Sequence, residues 1–269
     1  MMRQRMLALI AVVSVGAPAT NQAQEGTDPR GVQPERPTVA THAHTVAPGY
    51  FELESGIEGD RASQGTRTWF APNVLKVGLT SHTQLNVSSA AYKNSGNGQS
   101  SGIGDVTVGL KWRLLDDRPI LGDFALIPAI KFANGSPADG TGSGTRDLSL
   151  TAISSYDIHG VAMDLNATYT RVGSTTSTPV TSAALWTASF GFPVAGQLSW
   201  VAEFFGFPTI DGSGSPSSAA FLTGPTFLIS PAFNLDVGII TPLRGELRNA
   251  LYAGFVWNMG SPFARGRRP

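Results

Sequence analysis

Twelve ionisable side chains stand at intervals along the chain, and the chemistry open to them is that of a polar wall. They are Glu52, Glu54, Lys76, Asp105, Lys111, Arg113, Lys131, Asp147, Asp164, Glu203, Asp236 and Arg248. Seven acids and five bases spread over so much sequence form no catalytic constellation. Set on the inner faces of strands, they would either line a watery path or pair across a narrow interior and hold it shut. Pairing is the favoured role for most of them, because a lone charge in a confined space is costly. Their near balance argues against a strongly ion-selective pore. Ile127, Val201, Phe205, Leu222 and Leu228 fall on the same inner faces and would suit an apolar or aromatic solute.

Nucleophilic and metal chemistry finds little support. The chain has no cysteine, which excludes thiol nucleophiles, disulfides and cysteine metal sites. Its four histidines are His42, His44, His82 and His159. Ser81 and His82 are neighbours, and on a strand such neighbours point to opposite faces, so they are not expected to pair as a Ser–His dyad. His42-Ala43-His44 could hold a metal weakly, but a solvated leader is the better reading. The stretch Gly96-Asn97-Gly98-Gln99-Ser100-Ser101-Gly102 precedes a strand rather than a helix and reads as a loop, not a dinucleotide fingerprint. No metal, cofactor or catalytic residue is expected. With Lys+Arg and Asp+Glu at 19 each, the electrostatic footprint of a nucleic-acid binder is missing too.

The elements that must carry these residues have period two. Along 104–114, Val106, Val108, Leu110, Trp112 and Leu114 share one face, while Asp105, Thr107, Lys111 and Arg113 share the other. The same alternation sets Met163, Leu165 and Tyr169 against Asp164 and Asn166, and Leu251, Phe255, Trp257 and Met259 against Arg248, Tyr252 and Asn258. Twelve strands follow, at about 49–57, 66–79, 83–92, 103–115, 120–133, 146–156, 161–172, 180–194, 197–208, 218–230, 233–241 and 247–259. Pro72, Pro128 and Pro225 fall inside three of them and predict bulges or kinks. Short connections alternate with mostly longer ones rich in Gly and Ser, such as 93–102, 134–145 and 209–217.

Charged residues make up 14% of the chain and hydrophobic residues 41%, with mean hydropathy +0.01. A chain so poor in charge, yet without long apolar runs, suits a surface in which only every second residue faces lipid. An even strand number with alternating short and long connections points to an all-β, transmembrane antiparallel barrel of about twelve strands. A secreted two-sheet sandwich is the competing fold. Aromatics near the ends of the apolar faces, Trp69, Trp112, Trp186, Trp200 and Trp257, fit membrane girdles.

Ahead of the strands, Arg3 and Arg5 precede an apolar run over 6–16 and small residues at Ala19 and Ala23. This is the layout of a secretory signal peptide over 1–23, with cleavage after Ala19 or Ala23. Residues 24–47 read as an extended periplasmic leader, 48–259 as the barrel and 260–269 as a basic tail.

Several segments, taken in order, resemble one family. They are Glu35-Arg36-Pro37-Thr38, then Pro48-Gly49-Tyr50-Phe51-Glu52-Leu53-Glu54, and Gly102-Ile103-Gly104-Asp105 running on to Gly109-Leu110-Lys111-Trp112. Ile127-Pro128-Ala129-Ile130-Lys131-Phe132, Ser155-Tyr156-Asp157, Ala202-Glu203-Phe204-Phe205-Gly206 and Asn234-Leu235-Asp236-Val237-Gly238 continue the match. The set is similar to the outer-membrane β-barrels grouped as transporters of the phenol meta-degradation pathway, with Glu35 where that family usually has Asp. The resemblance implies a Gram-negative outer-membrane barrel that passes small molecules, lies in lipid and meets the barrel-assembly machinery through its last strand. A lipid-acting barrel enzyme and a plugged structural barrel are the alternatives.

Overall fold

A computed structural model describes residues 28–61, 67–95, 100–175, 179–212 and 217–262. The expected signal peptide and most of the basic tail lie outside the described residues. The strands are β1 (Phe51–Arg61), β2 (Arg67–Gly78), β3 (Thr83–Ser95), β4 (Ser100–Ile103), β5 (Val106–Arg118), β6 (Gly122–Phe132), β7 (Asp147–Ile158), β8 (Val161–Val172), β9 (Thr181–Ala195), β10 (Leu198–Phe207), β11 (Ser218–Ser230), β12 (Phe233–Arg244) and β13 (Ala250–Gly260). Each pairs antiparallel with its neighbours, and β1 pairs with β13 (Leu53 opposite Trp257), so the sheet closes on itself. β4 and β5 occupy one place in the ring, which makes a closed barrel of twelve strands. Closure leaves no open edge, as a sheet crossing a bilayer requires.

Alternation sorts the side chains. On β13, Leu251 and Trp257 face outward and are exposed, while Tyr252, Val256 and Asn258 face inward and are buried. Trp69, Trp112, Trp186, Trp200 and Trp257 all lie on the outer face. Trp69 and Trp186 sit toward the end with long connections. Trp112, Trp200 and Trp257 sit toward the other end, opposite residues near the short turns such as Thr83 and Phe233. The outside is thus apolar with two aromatic bands, and the inside is polar.

Pro72, Pro128 and Pro225 do not shift the register where they stand. Instead the ladder to one neighbour is interrupted beside each: Asn73 and Phe70 bracket the gap to β1, Ala129 and Leu126 the gap to β5, and Thr223 and Thr226 the gap to β12. A residue with no N–H is placed where a bond is already missing.

The expected strand 103–115 is broken at Gly104–Asp105. A Cβ at Gly104 would stand 2.6 Å from the Tyr92 ring. The Asp105 carboxylate turns aside to accept the Gly135 and Ser143 N–H groups, both at 2.9 Å, and so holds the segment 133–146. The last strand begins at Ala250 rather than at 247, because its ladders to β12 and β1 both stop there, opposite Ile240 and Asp60.

Candidate functional site

The chain enters β1 from inside the barrel. Residues 28–47 run through the lumen, whereas the sequence places them in the periplasm. Ala40, Ala43 and Val46 are buried, each at 1% exposure or less. A polar, Pro-rich segment reads as solvated, but a polar lumen can replace water as its hydrogen-bonding partner. The leader turns into β1 at Gly49, whose N–H donates to the Gly78 carbonyl (2.8 Å), while the Gly78 N–H donates to Tyr50 (3.1 Å). A Cβ on Gly78 would lie 2.2 Å from the Ala47 oxygen, so glycine is needed for the chain to pass.

Wall side chains grip the leader's main chain. Glu52 accepts the Gln33 N–H (2.7 Å) and Glu54 that of Glu35 (2.8 Å). Glu203 accepts two, from Val39 (2.8 Å) and Ala40 (2.7 Å). Asn166 pairs with Thr41 in both directions, accepting its N–H at 2.7 Å and donating to its carbonyl at 2.9 Å. Ser155 takes the Ala43 N–H and Gln84 that of Val46. The cations take carbonyls: Lys76 bonds the Gln33 oxygen (2.8 Å), and Lys111 bonds those of His42 (2.7 Å) and His44 (3.1 Å).

Two leader side chains add ion pairs. Glu35 lies between Lys76, at 3.2 Å, and Lys111, and also accepts the Thr41 hydroxyl. Lys76 in addition meets Glu52 (3.2 Å) and Glu54 (2.5 Å). Burial alone would push the Glu35 carboxyl up, but the two ammonium groups hold it well below the usual carboxylate range. Arg36 turns to β12, two strands from β1 in the ring, where its guanidinium bonds both Asp236 oxygens at 3.1 and 3.2 Å. It lies against Gly56 and Gly254, where an added Cβ would come within 2.5 Å of it. Further along, burial pushes the His42 imidazole well below the ordinary histidine range, so it is neutral, and neither ring nitrogen has a hydrogen-bond partner among the described residues.

Glu52, Glu54, Lys76, Lys111, Arg113, Glu203 and Asp236 are therefore brought together around the leader. Arg113 reaches His44 (3.3 Å) and pairs with Asp116 at 3.0 Å. Asp164 lies one step back and accepts the Ser155 hydroxyl at 2.6 Å. Asp105, Lys131 and Asp147 form a separate cluster at the long-connection end, with Lys131 on Asp147 and 3.6 Å from Asp105. Arg248 is on no strand. It stands in the connection between β12 and β13, about half exposed and 3.6 Å from Asp60. The reading by charge passes over Gln84, Ser155 and Asn166, though all three occupy inward positions in the alternation. The leader itself carries little charge to mark it, apart from Glu35-Arg36 at the head of the motifs shared with the family.

Ser81 and His82 do meet, contrary to the expectation from strand geometry, because both lie in the turn between β2 and β3. The hydroxyl is 2.8 Å from Nδ1, and Nε2 is 3.3 Å from Asp116. The group is exposed and stands outside the cavity. Among the described residues no cluster of three or more His, Asp or Glu could hold a metal ion.

Between the leader and β7–β12 a cavity of about 520 Å³ remains, close to the short turns. Asp164, Ser189 and Asn234 give it polar edges, and Val201 and Leu228 an apolar side; Arg36, His42 and His44 close it from the leader.

A family model described as "Putative MetA-pathway of phenol degradation" matches residues 35–258. Comparison with curated proteins finds no match. Among solved structures, the COG4313 outer membrane channel from Pseudomonas putida F1 is 14% identical over 81% of this chain and 98% of its own, with a TM-score of 0.59. The NanC porin is 11% identical over 77% of this chain and 98% of its own, with a TM-score of 0.52. At these identities the likeness is one of fold.

Proposed function

The chain belongs to this phenol-degradation family, and on that premise we propose that it is an outer-membrane channel for small solutes, closed by its own N-terminal leader. Residues 1–23 direct it across the inner membrane, and β13 presents it to the barrel-assembly machinery. The observation that carries the reading is how the leader is held. It adds no strand to the sheet, and apart from its hinge into β1 the bonds that seat it run largely to wall side chains. It can therefore leave while every ladder of the barrel stays intact. Once it is gone, the polar wall from Glu52 to Asp236 faces water.

The solute class follows from the cavity that remains. An apolar side faces hydroxyl, amide and carboxylate groups, which suits a small molecule with an apolar body and a polar edge. No catalytic role is assigned. The Ser81–His82–Asp116 contacts lie on an exposed turn away from the cavity, and the Glu52, Glu54, Glu203 and Asp236 carboxylates are engaged by the leader.

Reconstitution into planar bilayers tests the reading. Discrete conductance steps, with intermittent closures as the leader reseats, are expected. A barrel that is inserted and heat-modifiable yet never conducts would make the leader a permanent plug. Release of fatty acid from lipid by the same preparation would bring the enzyme forward.

A further inference from the structure

The wall holds the leader chiefly by features every peptide possesses. Val39, Ala40 and Ala43 have no polar side chain, yet each main-chain N–H meets a wall acceptor, on Glu203 or Ser155. Asn166 engages Thr41 through both its N–H and its carbonyl, at 2.7 and 2.9 Å, so a side-chain amide acts as one rung of a β-ladder. Lys111 holds the carbonyls of His42 and His44 rather than their rings. Acceptors and donors on the wall thus meet the main-chain N–H and carbonyl groups of the leader, the consecutive N–H groups of Val39 and Ala40 sharing one carboxylate.

We infer that the lumen is a binding track for peptide main chain, and that short unstructured peptides are among the solutes the open barrel accepts. Glu203, Asn166 and Lys111 read backbone, so recognition tolerates many sequences. The leader is then the resident occupant of a general peptide site, and its Glu35 and Arg36 supply the side-chain pairs that favour it over competitors. The inference rests on the proposed function only in requiring that the leader can leave. A tethered segment competes at an effective concentration that can reach the millimolar range, so free peptide acts best once the tether's own grip is weakened.

The test uses the full-length Arg36→Ala protein in planar bilayers with three synthetic peptides. One copies residues 28–47 with Glu35→Ala and Arg36→Ala, so that neither side-chain pair contributes; the second is a scramble of that altered sequence, and the third is the altered copy with N-methyl groups at the positions of Val39, Ala40, Thr41 and Ala43. The copy and the scramble should block open channels at concentrations within tenfold of each other. N-methylation should raise the blocking concentration more than tenfold, and Asn166→Leu in the barrel should weaken both active peptides. A scramble that fails to block would overturn the inference in favour of side-chain recognition. Equal block by the methylated peptide would overturn it in favour of simple obstruction. If no conductance appears without peptide, the channel reading fails first. Fluorescence anisotropy of the labelled copy and scramble on the same protein in detergent then decides the peptide site, and no binding by either refutes it.

Discussion

Replacing Arg36 by Ala should shift the barrel toward its open state by roughly two orders of magnitude. In the seated leader the guanidinium is 14% exposed and Asp236 fully buried, with both carboxylate oxygens engaged. Removing one partner of such a pair leaves the other as an uncompensated buried charge, at a cost of about 3–5 kcal/mol. The lower end applies here, because Arg36 borders the cavity and water can fill the space it vacates. The penalty belongs to the seated state alone, since Asp236 is hydrated once the leader leaves. A shift of about 3 kcal/mol is roughly a hundredfold in the seated-to-released ratio. Open probability in single-channel records measures it directly. Adding Asp236→Asn should return most of the loss, because the orphaned charge is then gone. An open probability within twofold of the unmodified protein, in a barrel shown to be inserted, would refute the claim that this pair seats the leader.

Acidification should loosen the leader through His42. Its imidazole is held neutral when seated and takes a proton when released, so the leader's stability is intact above the ordinary histidine value of 6.5 and falls as pH drops below it, by about 1.4 kcal/mol per unit. Glu35 works the other way in range: its lowered carboxyl contributes above 4.5 and is lost only under stronger acid. Open probability should therefore rise up to tenfold from pH 6.5 to 5.5, and a flat response in the intact protein, or an unchanged rise in His42→Leu, would count against this. On the outer face, Val108 stands between the levels of the two aromatic bands, opposite Val87 and Ile130, so Val108→Arg should cost about 2–4 kcal/mol at the bilayer centre, read as lost insertion by heat-modifiability. For orientation, Asp139→Cys in the segment 133–146 should react with an impermeant thiol reagent on intact cells, while Ile120→Cys in a short turn should not; the reverse pattern would invert the topology.

Most of the barrel is legible in the sequence because a sheet with lipid on one side and polar groups on the other writes strict alternation. Trp112 beside Lys111, or Trp257 beside Asn258, tells which face is which without any structure. The break at Gly104–Asp105 is not legible, since it arises from Asp105 holding a segment thirty residues away. Arg248 misleads because its parity continues the strand pattern, while the ladders stop at Ala250. The leader misleads more deeply. Composition separates groups that bury from groups that do not, but inside this barrel the buried surroundings are themselves polar. Main-chain donors, contributed by residues as plain as Val39, Ala40 and Ala43, leave no pattern in side-chain chemistry. The signal that was present, Glu35-Arg36 among sparse charges, needed an interior partner to have meaning.

The central claim is that the seated leader closes the channel and its departure opens it. Ala43 donates to Ser155 at 2.9 Å, and the chain has no cysteine of its own. An Ala43→Cys, Ser155→Cys protein can therefore carry one disulfide from leader to wall. Conductance should vanish when the bond is formed and return when a reductant is added to the same bilayer. Undiminished conductance from barrels in which the cross-link is verified would contradict the account.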